Sequence, residues 1–148
     1  MVTGEDDTFV LYNSAAVTAS GRNTSISVVG TGNRIALQGG AIQLQGGSSA
    51  QVTGNTNIVT LDGGSSVTVS GQAETFVFTP TPGSVTVAGY DASDIMRFDH
   101  RTFGDWGTLL SHASQSGADT LIHMSPSDTV TLKNVALTSL DKSRVYFV

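Results

Sequence analysis

Short apolar-x-apolar triplets recur along the first two-thirds of the chain, separated by Gly, Ser and Asn turns. They are Phe9-Val10-Leu11, Val17-Thr18-Ala19, Ile26-Ser27-Val28, Ile35-Ala36-Leu37, Ile42-Gln43-Leu44, Ala50-Gln51-Val52, Val59-Thr60-Leu61, Val67-Thr68-Val69, Phe76-Val77-Phe78 and Val85-Thr86-Val87. Successive triplets lie about 7 to 9 residues apart, a spacing that fits solenoid repeats. In a strand, residues i and i+2 share a face. Each triplet therefore points two apolar side chains inward and one small or polar residue outward. One triplet buries too little to hold itself. Stacked triplets build a continuous core, with roughly 1.5–3 kcal/mol for each buried aliphatic.

The corners must bend sharply, and Gly39-Gly40, Gly46-Gly47, Gly63-Gly64, Gly30, Asn33 and Asn55 fall there. Both residue types accept left-handed backbone. The segment 32–40 echoes 55–64 at an offset of about 24 residues, which suggests three short strands per coil. A two-strand coil of about 18 residues fits the triplet spacing almost as well. A β-roll and a three-sided β-helix both stay open, with an antiparallel sandwich of short strands as the alternative. The expected fold is all-β: a parallel β-solenoid over residues 1–98 with a small helix-containing C-terminal cap over 99–148.

The pattern changes after Phe98. Phe103, Trp106, Leu109, Leu110 and Ala113 recur at helical spacing, which predicts a helix over 103–116 with Gly117 as its C-cap. Strands are expected over 120–124 and 129–132, joined by the turn Ser125-Pro126-Ser127-Asp128. A further turn over 137–141 leads to a last strand over 144–148. A solenoid end exposes open edges, and these elements would cover one.

Only 13% of residues are charged, against about 25% in typical soluble domains. The net charge of -5 and the scattered Lys and Arg disfavour nucleic acid and anionic membranes as partners, because no basic patch is present to release counterions. With no cysteine, the chain must be held by core, metal or repeat stacking. No apolar run approaches the ~18 residues of a membrane span. The start, Met1 to Asp7, is short and acidic, unlike an N-terminal signal peptide, so export would need another route, or the chain is a fragment.

Three segments carry a resemblance: Glu74-Thr75-Phe76-Val77-Phe78, then Val85-Thr86-Val87-Ala88-Gly89-Tyr90-Asp91, then Asp94-Ile95-Met96-Arg97-Phe98-Asp99. It continues through Phe103, Leu109-Leu110, Ala113-Ser114-Gln115, Gly117-Ala118-Asp119 and Ile122. It ends with Asp128-Thr129-Val130-Thr131-Leu132-Lys133-Asn134-Val135, Leu140 and Tyr146-Phe147-Val148. This stretch, 71–148, resembles the segment that closes the β-rolls of RTX-type (hemolysin-type calcium-binding) bacterial proteins and the C-terminal tails of α-proteobacterial type I-secreted proteins. The resemblance implies an uncleaved C-terminal export signal read by a type I secretion transporter, an extracellular destination and a calcium-rich setting.

The family's calcium repeat is G-G-x-G-x-D-x-U-x, with U apolar, and no complete copy is present. With Leu37 at the U position the ligand Asp would fall at Ile35; with Leu61 there, at Val59. These coils are therefore expected to be held by packing. Only Asp7 and Glu74 stand where the ligand carboxylate would be, with Glu5 and Gln72 replacing the preceding Gly. They are the two candidate calcium ligands, since calcium takes six to eight oxygens. Calcium is the one cofactor suggested. Asp6, Asp7 and Glu5 form an acidic cluster that reads first as a solvated start and second as a calcium half-site completed by preceding repeats.

Catalytic patterns are sparse. His100, His112 and His123 lie far apart and show no zinc spacing. The outward triplet centres carry no carboxylate, Lys or His, Asp62 stands alone, and Arg22 and Arg34 have no accompanying acid. A polysaccharide-active enzyme would need such convergence. Tyr12, Tyr90 and Trp106 are the candidate aromatics for stacking on sugar, although Trp106 falls on the apolar helix face. The leading expectation is a non-catalytic, extracellular solenoid and secretion module at the C-terminal part of an exported protein. The alternative is a surface adhesin or extracellular polysaccharide-binding solenoid, self-associating through a solenoid end. An enzyme on a β-helix is the third reading.

Overall fold

A computed structural model describes residues 2–3, 7–20, 23–80 and 83–148. In chain order the strands are β1 (Val2–Thr3), β2 (Thr8–Leu11), β3 (Ala16–Ser20), β4 (Ser25–Val28), β5 (Asn33–Ala36), β6 (Ala41–Leu44), β7 (Ser49–Thr53) and β8 (Ile58–Leu61). There follow β9 (Ser66–Ser70), β10 (Thr75–Phe78), β11 (Val85–Ala88), β12 (Ile95–Phe98), β13 (Ala113–Ser116), β14 (Asp119–His123), β15 (Thr129–Lys133) and β16 (Val145–Phe147). One helix, α1 (Trp106–Ser111), precedes β13, and two 3-10 turns, Leu137–Ser139 and Lys142–Arg144, precede β16.

The strands alternate between two sheets. One runs β1-β3-β5-β7-β9-β11-β15-β14-β13, the other β16-β12-β10-β8-β6-β4-β2. Each coil thus contributes two strands, and the chain is a parallel β-solenoid. Every pair up to β15 and β16 is parallel, and only the cap strands β13, β14 and β15 pair antiparallel. The rungs Thr8, Ser25, Ala41, Ile58, Thr75 and Ile95 stand opposite one another in turn, a repeat of 16 to 20 residues. This excludes three strands per coil. The echo at about 24 residues compares β5 in one sheet with β8 in the other, because the same apolar-x-apolar rule applies to both.

Each of the ten triplets lies in or overlaps a strand, and its first and third residues face inward. Ile26, Val28, Ile35, Leu37, Ile42, Leu44, Val52, Val59 and Leu61 are all at most 2% exposed. The apolar residues at Ile35 and Val59 are core. Toward the C-terminal end the interior turns aromatic: Phe78 stacks on Phe98 at 4.8 Å, and Phe98 meets the edge of Phe103 at 5.4 Å. Phe103 and Leu109 are buried, so the loop before α1 and the helix close this end over the core. The turn Ser125–Asp128 is tied to the solenoid by the Gly83 N–H, which donates to the Asp128 carboxylate.

The helix is shorter than its spacing predicts. Asp105 caps its start by accepting from the Thr108 N–H at 2.8 Å, and His112 ends it by donating to Leu109. Residues 113–116 instead pair antiparallel with β14, because sheet hydrogen bonds at an open edge outweigh weak local helix propensity. Gly117, with φ 61, is the first residue of the two-residue hairpin turn between them and not a helix cap. Trp106 is partly buried against the core.

Leu44 is fully buried in the middle of the stack, and its neighbour Gln43 faces out. Leu44→Ala is expected to cost about 2–5 kcal/mol in urea-unfolding free energy, and Gln43→Ala less than about 0.5 kcal/mol.

Candidate functional site

The residue before each of the strands β2, β4, β6, β8, β10 and β12 of the seven-stranded sheet occupies one inward-facing column: Asp7, Thr24, Gly40, Asn57, Glu74 and Asp94. The carbonyl of each of the first five accepts from the strand of the following coil, as in Ser25 N–H to Asp7 and Ala41 N–H to Thr24. The ladder continues with Ile58 to Gly40, Thr75 to Asn57 and Ile95 to Glu74, all five at 2.8 to 2.9 Å. Four of these side chains are polar and buried, Thr24, Asn57, Glu74 and Asp94, at 0 to 1% exposure. Asn57, Glu74 and Asp94 answer an accounting problem, since a buried backbone N–H at a corner needs an acceptor.

The side-chain bonds run backwards along the stack. Asp94 accepts from the Glu74 N–H at 2.8 Å, Glu74 from the Asn57 N–H at 2.7 Å, and Asn57 from the Gly40 N–H at 3.1 Å. The Asn57 amide also donates to the Leu37 carbonyl at 2.9 Å and to Glu74 at 3.3 Å. At Gly40 a Cβ would stand 2.6 Å from Leu37 and 2.7 Å from the Thr24 carbonyl, so the column has no side chain there. Thr24 Oγ1 is the buried side-chain oxygen left without a partner among the described residues.

The two candidate calcium ligands are therefore members of one column. They are not brought together: four rungs separate Asp7 from Glu74, about 19 Å at the inter-strand spacing. Both Glu74 oxygens already accept from Asn57, and Asp7 is half-buried. Glu5, Asp6 and Arg22 lie outside the described residues. Among the described residues no group of three or more His, Asp or Glu is placed to hold a metal ion. Asn57 and Asp94 complete the column, and the sequence reading missed their role. The signal was available: each stands two residues before an inward apolar residue, so it shares that residue's face.

Burial pushes the Glu74 carboxyl up to about 7 from 4.5, against the lowering effect of its Asn57 bonds, and the nearby Asp94 charge adds to the rise. Burial also raises Asp94. Tyr90, beside Phe76 at 6.2 Å, is raised to about 12, chiefly by burial and then by Asp94.

The histidines stay apart in the cap. His100 contacts the Val148 carbonyl, His112 the Thr108 carbonyl and His123 the Thr129 hydroxyl. A cleft of about 390 Å³ beside β16 is lined by Trp106, Phe147, Asp105 and Lys142 among others. The outer face of the nine-stranded sheet carries three adjoining depressions around Arg34 and Thr53. No described helix is long and apolar enough to cross a membrane.

No protein-family profile matches the chain, and no curated protein matches it by sequence. Among solved structures, the extracellular lipase LipA from Serratia marcescens is similar over the whole of this chain, with 14% identity and a TM-score of 0.47. The chain spans 40% of the length of that protein.

A pH dependence follows from Glu74. Its folded pKa lies above its unfolded one, so the stability it contributes is complete below about 4.5 and lost as pH rises through about 7. The loss by pH 9 is on the order of 3 kcal/mol. Thermal melts from pH 5 to 9 are expected to show a falling Tm, and Glu74→Gln should flatten that slope. Parallel slopes for the two proteins would refute the assignment.

Proposed function

We propose that this chain is a non-catalytic β-solenoid module that closes the C-terminal end of an exported protein and carries that protein's type I secretion signal. The observation that carries this reading is the fold of the stretch that resembles RTX-type tails. From Glu74 onward it supplies the last regular coil, the lid formed by α1 and the β13–β15 strands, and a final strand. The Val148 N–H donates to the Phe98 carbonyl, and the Val148 carbonyl accepts from the His100 N–H, at 2.9 and 3.0 Å. β16 is thereby held as an edge strand of the seven-stranded sheet, an arrangement suited to terminating a stack. The extracellular destination and the transporter as partner belong to the same proposal.

Calcium is not required by this reading. The described coils bury Ile35 and Val59 where a calcium repeat would place its ligand, and packing between coils supplies the cohesion. The far-UV circular dichroism melt is expected to keep its Tm within about 2 °C when calcium is replaced by a chelator. A chelator-unfolded chain that refolds with calcium would show metal-linked folding instead.

Export is tested by fusing a passenger protein to the N-terminus of the full chain in a bacterial host with a competent type I transporter. The passenger is expected in the medium, and deletion of residues 137–148 should retain it in the cell. Retention of the full fusion, or export independent of the tail, would overturn the proposal.

A further inference from the structure

The outer face of the nine-stranded sheet has a chemical character of its own. From β3 to β11 its described outward positions are Ala, Ser, Thr and Gln, with Arg34 as the one charged residue. No described carboxylate lies on that part of the face, in a chain whose acids outnumber its Lys and Arg by 12 to 7. The column through Arg34 runs Ala16, Arg34, Gln51, Thr68, Ala88 and Lys133 in successive rungs. Lys133 is already paired with Asp119 at 2.6 Å. The Arg34 guanidinium is exposed and makes neither an ion pair nor a hydrogen bond with any described residue.

Three depressions of about 270, 210 and 280 Å³ adjoin on this face. The first two share Arg34 and Gln51, and the last two share Thr18, Ala36 and Thr53, so they form one shallow trough. Its floor is stiff. Asn33 and Ile35, the neighbours of Arg34, are 0% and 1% exposed, and the Asn33 side chain accepts from Ala15 N–H and donates to the Gly30 carbonyl, both at 3.1 Å. Small residues, Ala16 and Ala36, flank Arg34 and leave its planar fork open to a ligand.

We propose that this trough binds an extended polysaccharide carrying carboxylate groups, with Arg34 pairing one carboxylate and the Gln51 and Thr68 side chains meeting sugar hydroxyls. A guanidinium pairs carboxylate in a bidentate geometry that an ammonium does not reproduce. The rungs, one every ~4.8 Å, set small or uncharged polar side chains on both sides of Arg34 along the solenoid axis, a surface on which an extended polymer can lie. The sparse positive charge sets the class of ligand. Nucleic acid places a phosphate charge every ~1.7 Å of duplex, and the one charged residue among the described outward positions of β3 to β11, on a chain of net charge -5, cannot offset that density. A sugar polymer, with one carboxylate per residue and many hydroxyls, matches one guanidinium within a neutral polar face. This binding role goes beyond the export module and does not depend on it.

The test is affinity electrophoresis and calorimetry of the full chain with polygalacturonate, with neutral dextran and densely charged dextran sulfate as comparison arms. Polygalacturonate is expected to retard the protein, dextran not at all, and dextran sulfate less than polygalacturonate. Arg34→Ala should weaken polygalacturonate binding about tenfold, the loss of one charge-assisted bond, and Arg34→Lys should recover only part. Arg97 is exposed on the outer face of the other sheet, so Arg97→Ala should change nothing. Both arginines are solvent-facing, and melts of the variants should match the parent. The proposal fails if polygalacturonate does not bind, if dextran sulfate binds better, or if Arg97→Ala weakens binding as much as Arg34→Ala.

Discussion

Each coil of this molecule hands its backbone hydrogen bonds to the next, and in-register parallel stacking is the constraint on which everything else rests. A strand of four residues has no stability alone. Its N–H and C=O groups are satisfied only by neighbours one coil before and one coil after, at 16 to 20 residues' separation. That dependence dictates the side chains. The inward positions of the triplets are apolar in every rung, running from Ala to Phe, and the outward positions face solvent. At the corners, where the ladder ends and the chain turns inward, a buried polar side chain supplies the missing acceptor. Asn57 and Glu74 do so for the N–H groups of Gly40 and Asn57.

The corner column explains how a carboxylate comes to be buried without a Lys or Arg ion pair among the described residues. Glu74 and Asp94 are acceptors for backbone amides first, and a carboxylate that accepts such bonds is partly compensated for lost water. Compensation is incomplete in adjacent rungs, which is why Glu74 stays above its ordinary range. The same position accepts Thr, Gly, Asn, Glu and Asp because the demand is for geometry and not for a particular charge. Column members are separated by coils, so chemical likeness along the sequence does not bring Asp7 and Glu74 into one site.

Much of the fold was legible from the triplets, because period-two alternation is a local property and each strand obeys it. All ten triplets lie in or overlap strands, and their first and third residues face the core. The coil count was not legible. Residues 32–40 and 55–64 resemble each other because both sheets use the same rule, and local likeness carries no information about which sheet a strand joins. The cap helix was overextended for a related reason. Helical spacing at Phe103, Leu109 and Ala113 is real, but residues 113–116 meet the unpaired edge of β14, and an edge needing partners is invisible in the sequence. The sequence shows Arg34, like Arg22, without an accompanying acid. Its setting, a trough shared by four strands, depends on residues as far apart as Ala16 and Thr68.

The sequence by itself determined that the chain would form a stack of short strands with an apolar interior, polar outer rows and a different C-terminal segment, because burial and strand periodicity act over a few residues. Only the tertiary structure decided that each coil has two strands, that Asn57, Glu74 and Asp94 form one buried column, and that Arg34 stands alone on an uncharged face. Those outcomes depend on register, the alignment of one coil upon the next, and register is set by the joint fit of every side chain and backbone bond in the stack.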